Sequence, residues 1–216
     1  MSPIRDTLVH SYLYLRRAIG LIGLGLPLVL IVGQLLVDGR LLHSISGYYY
    51  SDLRDVYVGA MCAVGVFLLS YRGYEPLDDL VSNVAAVAAV GVALFPTRPS
   101  GGGSAVDEVF GVLHLISAGV FFLALAYFCL VLFRRSGDSV TERKTKRNGV
   151  YLGAGVVILG ALVVMVVSGF FEWGDLRPVL WLETAATTAF GVAWLTKGEL
   201  ILPDSGGEKA VRAAAG

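Results

Sequence analysis

Residues 149–171 read GVYLGAGVVILGALVVMVVSGFF, without a single charge, directly after the basic stretch RRSGDSVTERKTKRN at 134–148. A helix needs about 20 apolar residues to cross the roughly 30 Å hydrocarbon core of a bilayer. A water-soluble helix of this length would carry charge on its outer face, and this one has none to place there. The run therefore reads as a membrane span whose start is fixed by the cations before it.

Five further runs of similar character lie outward from it: Ile19–Val37, Val56–Ser70, Leu80–Pro96, Val109–Phe133 and Val179–Leu202. The second is short and needs Tyr57 and Tyr71 as interfacial ends. Across all 216 residues, 56% are hydrophobic and 16% charged, against about 25% charged in a soluble domain. The expected fold is an all-α integral membrane protein, a bundle of six transmembrane helices over residues 18–202. Residues 1–17 form an interfacial segment ahead of it. Residues 203–216, polar and rich in small residues, form a disordered tail. The first run starts late, behind Arg16-Arg17, and lacks a clear small-residue cleavage site, so it reads as a retained helix. Residues 2–17 are partly amphipathic and either lie on the membrane or extend the first helix.

Lysine and arginine favour the cytoplasmic loops. The N-terminus, the second and fourth loops and the C-terminus together hold 13 of the 17 basic residues, against four (Arg40, Arg54, Arg98, Arg177) on the other side. Both termini are then cytoplasmic, in a cell or inner membrane. The basic fourth loop is a topology signal or an anionic-lipid contact, not a nucleic-acid site. The loop FPTRPSGGGSAVDE at 95–108 lacks the lysine and the strand-to-helix setting of a phosphate cradle. Cys62 and Cys129 read as buried thiols at different depths, not as a bridge.

Small residues predict tight helix packing: Ala85, Ala89 and Ala93 at spacing four, Gly59 with Ala63, and Gly153, Gly155 and Gly160. Aromatics near the predicted ends (Tyr48–Tyr50, Tyr57, Tyr71, Tyr74, Phe170, Phe171, Trp173, Trp181) read as interfacial belts.

Polar groups inside a span are costly and need a partner or a purpose. His114 and Glu183 stand out, at similar depth near the extracytoplasmic ends of the fourth and sixth runs. Ser117 and Thr187 extend their faces inward. Ser44, Ser46, Tyr50, Arg54 and Asp55 stand at the mouth, with Glu172 and Asp175 above. Three readings stay open. One is a closed network in which His114 hydrogen-bonds Glu183 and Arg54 pairs with an acid. The second is an outward-facing pocket for a lipid or small amphiphile, with Arg54 meeting a phosphate. The third is a lipid hydrolase with His114 as general base and Glu183 orienting it. A small-solute transporter and an accessory subunit are weaker alternatives. Transport is disfavoured because Pro27 in the first run has no matching break elsewhere. No paired histidine or His–Glu spacing points to a metal, and no cofactor is implied. Asn83 reads as a cross-helix hydrogen-bonding residue, and Lys197 as a side chain reaching the interface.

Ile45-Ser46 in the first loop, Arg54, Asn83, HLISAGVFF at His114–Phe122 and Arg147-Asn148 together resemble the Frag/DRAM/Sfk membrane proteins and their bacterial relatives, over roughly residues 18–200. That resemblance implies six helices and a role in lipid organisation, lipid-anchor maturation or membrane trafficking.

Overall fold

A computed structural model describes residues 3–73, 75–99, 101–135, 141–171 and 176–203. Tyr74, Glu172, Trp173, Asp175 and the tail from residue 204 lie outside the described residues, as do the side chains before Tyr12. The described residues are all-helical: α1 (Pro3–Asp38), α2 (Arg54–Ser70), α3 (Pro76–Leu94), α4 (Ala105–Tyr127), α5 (Glu142–Ser168) and α6 (Pro178–Lys197). A short 3-10 helix, Ser46–Tyr50, precedes α2, and a π-turn, Phe128–Leu132, prolongs α4. Among the described residues, four segments are long and apolar enough to cross a bilayer: Tyr12–Asp38, Pro76–Leu94, Ala105–Leu132 and Glu142–Ser168. Only 28% of the apolar window of α5 is buried. Val156, Val163, Val164 and Val166 point outward from it, an apolar surface that water does not tolerate and lipid does.

Each helix packs on its neighbour in sequence, and α6 closes the ring on α1. Helix ends are set by local chemistry. Ser104 and Asp107 form a capping box at α4. Pro76 and Pro178 occupy the first turns of α3 and α6, where a missing N–H costs nothing. α1 is one continuous helix despite Pro27, so residues 3–17 extend the first helix.

The small-residue expectation holds in part. Ala85, Ala89 and Ala93 are fully buried along α3, and a side chain on Gly155 would strike Leu130. Gly59, Gly153 and Gly160 instead face open space. The tightest crossing involves glycines outside those stripes: a Cβ on Gly23 would lie 3.0 Å from the Gly191 Cα, and one on Gly191 would lie 2.9 Å from the Gly20 carbonyl oxygen. With little hydrophobic drive between helices in lipid, such backbone approach is what binds α1 to α6.

The belt reading needs correction for three tyrosines. Tyr48, Tyr57 and Tyr71 are buried inside the bundle. Tyr71 packs edge-on against Phe128 and Trp194, which form an aromatic plug with Phe133 and Phe190. Tyr50, Phe170, Phe171 and Trp181 remain exposed, as a belt requires.

Candidate functional site

At the tyrosine end of the bundle, Glu183 sits one turn and a half into α6 with 9% of its surface exposed. Its Oε2 accepts the backbone N–H groups of Ile45 (2.5 Å) and Ser46 (3.3 Å), and its Oε1 lies 2.6 Å from the Ser46 hydroxyl. Ile45 and Ser46 lie where the chain turns from α1 toward the 3-10 helix, and both are buried. The turn is held locally by Ser44, whose Oγ accepts from Gly47 N at 2.9 Å, and by Ser51, bonded to the Tyr48 carbonyl. A carboxyl buried in an apolar bundle stays there only with several hydrogen bonds, and this segment supplies three.

Beneath this clasp lies a cavity of about 30 Å³, bordered by Glu183, Ser46, Tyr57 and Thr187 and floored by Phe121 and Phe122. That volume holds one or two water molecules, not an amphiphile. The Tyr57 hydroxyl donates to the Val92 carbonyl (3.3 Å). The Thr187 hydroxyl donates back to the Glu183 carbonyl (2.7 Å).

His114 belongs to a different place. Its Nδ1 lies 2.8 Å from the Phe95 carbonyl at the end of α3, so Nδ1 carries the proton. It does not border the cavity, and among the described residues it makes no hydrogen bond to Glu183. The expected His114–Glu183 pair is thus replaced by two separate contacts, because the 3-10 segment reaches Glu183 first and the α3 terminus offers His114 a free carbonyl. Burial raises the Tyr48 phenol above its ordinary range, which leaves it neutral beside the clasp.

The other residues expected at the mouth, Tyr50, Arg54 and Asp55, are spread over the surface. Arg54 stacks on the Tyr49 ring at 4.5 Å and donates to its hydroxyl, where an acidic partner was expected. Tyr50 is exposed and bonds the Thr97 carbonyl, and Asp55 is exposed at the first turn of α2.

Ser117 faces the gap between α3 and α4. There a groove of about 430 Å³ opens onto the outside of the bundle, with apolar walls from Val84, Val87, Ala88, Phe95 and Val120. Its polar members are Asn83 and Ser117. A Cβ on Gly91 would collide with the Ser117 hydroxyl, so α3 and α4 come into close contact at this glycine. Asn83 was expected to bond across to a neighbouring helix, yet its Oδ1 is buried without a hydrogen-bond partner among the described residues. The groove was missed in the sequence because its walls are ordinary aliphatic residues from two helices whose facing is set by packing.

At the opposite, basic end, cations gather backbone carbonyls: Arg17 bonds Gly198, Lys144 bonds Phe133 and Arg147 bonds Leu202. Arg135 pairs with Glu75 and the buried Asp78. Lys197 lies over the Phe133 ring. Cys62 and Cys129 are free thiols, and no cluster of metal-ligating side chains occurs among the described residues. The chain matches no family model, no curated protein and no solved structure, so the geometry of the clasp and the groove carries the functional reading.

Proposed function

We propose that this is a six-span protein of the cell membrane, both termini cytoplasmic, that holds a lipid or other amphiphile in the groove between α3 and α4. The observation that carries this reading is the groove itself. At about 430 Å³ it falls in the usual range of ligand pockets, roughly 300–1,000 Å³, and it opens sideways where acyl chains would lie. Its two polar members, Asn83 and Ser117, favour an amphiphile with a polar group. The resemblance to Frag/DRAM/Sfk proteins accords with lipid handling and belongs to the same proposal. The 13-to-4 division of basic residues supports the topology, with α2, only 17 residues long, and α6 as the two further spans of the ring.

The alternatives draw less support. A hydrolase would need His114 beside a carboxylate, and its Nδ1 is spent on a backbone carbonyl. A transporter would need a polar path beyond Thr187, where the interior closes on Phe190 and Trp194.

Two experiments test the reading. Native mass spectrometry of the purified chain should retain lipid, and Val84→Trp or Val120→Trp, each filling the groove from an exposed wall, should remove it. Equal retention in both variants, or no lipid in the parent, defeats the proposal. For topology, Tyr50→Cys in a chain lacking Cys62 and Cys129 should label from outside intact cells; labelling only after permeabilisation inverts the orientation.

A further inference from the structure

We propose that the basic end of the bundle holds one phosphate group, set among Arg16 of α1, Lys144 of α5 and Lys197 of α6. This site shares no residue with the groove between α3 and α4 and does not depend on that reading. Its floor is the aromatic plug. The Arg16 guanidinium lies 5.7 Å from the centre of the Tyr71 ring and 5.2 Å from that of Tyr12. The Lys197 ammonium lies 5.4 Å from the Phe133 ring, and that of Lys144 lies 5.8 Å from Tyr151. Tyr71, Phe133 and Tyr151 are buried, and they join through Trp194 and through each other. Cations from three helices thus rest on one connected set of rings.

These cations repel one another. Arg16, Lys144 and Arg147 each push on the Lys197 charge more strongly than Asp78 attracts it, and Asp78 is already paired with Arg135. Lys144 and Arg147 are anchored on the carbonyls of Phe133 and Leu202, and Arg17 takes the carbonyl of Gly198. Arg16 and Lys197, both half-buried, have no such anchor. The Arg16 Nε is buried with no hydrogen-bond partner among the described residues, and there the Lys197 ammonium meets only the face of Phe133. A ring face replaces only part of the hydration that a half-buried cation gives up. Like charges gathered in this way call for an anion. Phosphate suits both donors, since a guanidinium fork and an ammonium each bond its oxygens with charge assistance. A bound phosphate would offset the repulsion and tie α1 to α5 and α6.

The test titrates the full chain, in an uncharged maltoside detergent at fixed ionic strength, with three probes: dioctanoyl phosphatidylglycerol, dioctanoyl phosphatidylcholine and inorganic phosphate. The anionic lipid should bind at least about tenfold more tightly than the zwitterionic one. Lys197→Met and Arg16→Gln should each weaken binding by at least about tenfold, the loss of one charge-assisted hydrogen bond. Lys146→Gln removes an exposed cation paired with Glu142 and should change it by less than about twofold. The ligand-free unfolding midpoint of Lys197→Met should stay level or rise, because a repelled charge is gone. Inorganic phosphate binding with the same dependence on Lys197 and Arg16 assigns the site to a soluble phosphate compound; binding of the anionic lipid alone assigns it to a headgroup. No binding of any probe overturns the proposal, and so does equal weakening in Lys146→Gln, which would mark diffuse attraction. A Lys197→Met chain that unfolds earlier yet binds like the parent also overturns it. Weakening by Val84→Trp and not by Lys197→Met would put the lipid in the groove, upholding that reading and overturning this one.

Discussion

The two ends of the bundle solve one problem with opposite charge. Backbone groups that leave a helix near a bilayer need partners, since lipid supplies none. At the tyrosine end a single internal carboxyl collects N–H groups from Ile45 and Ser46. At the basic end several cations collect carbonyls from Gly198, Leu202 and Phe133. The difference in reach explains the difference in depth. Arginine and lysine are long and extend from the interface, so residues 199–203 stay half-buried or exposed. A glutamate inside α6 cannot extend outward, so the chain comes to it, and Ile45, Ser46 and Tyr48 are buried. One end is a rim held by many replaceable contacts. The other is an inward fold held by one irreplaceable group.

Substitutions can break that contrast. The largest effect is expected from Trp194→Ala, which empties the aromatic plug beside the basic end and should cost about 3–5 kcal/mol, read as a lower unfolding midpoint in detergent. Glu183→Leu should cost about 2–4 kcal/mol, because it strands two buried N–H groups at about 1–3 kcal/mol each. Glu183→Gln, which keeps an acceptor oxygen, should lose less than half as much. Equal losses in the leucine and glutamine variants would show that the clasp does not depend on an acceptor. Gly191→Val should cost about 1–3 kcal/mol by overpacking and separate α6 from α1, seen as faster proteolysis of the helix ends. At the basic end Arg17→Gln removes one of many cations and should change the midpoint by less than about 1 kcal/mol. Smallest is Arg54→Ala, an exposed cation–π contact of about 0.5–1 kcal/mol. Should Arg17→Gln prove as damaging as Glu183→Leu, the two ends would be equivalent and the contrast would fall.

The sequence carried the helices well, because an uncharged run like 149–171 has one physical solution in a bilayer. It also singled out Ser46 and Glu183 correctly as polar groups needing a reason. It could not join them, since two of Glu183's three partners are backbone N–H groups, which every residue but proline owns and no residue type announces. For the same reason it paired His114 with Glu183, two side chains visible as letters, when the ring's partner is the Phe95 carbonyl. Tyrosines 48, 57 and 71 looked interfacial because phenols usually are; the space that buries them is shaped by Trp194, Phe128 and the α3 alanines, far away in the chain. The α1–α6 crossing was equally hidden, because Gly23 and Gly191 meet only once the ring has closed.

That closure has a consequence for biogenesis. The partner of the Gly20–Gly23 face, Gly191 and Leu195, lies in α6, about 170 residues downstream, and the carboxyl that satisfies Ile45 and Ser46 is on the same helix. At about 5–20 residues per second of synthesis, α1 and the turn after it wait roughly 10–30 s in the nascent chain before their complement exists. The first helix made is therefore the last to find its place, and during that interval the insertion machinery or a lipid must shelter what α6 will later cover.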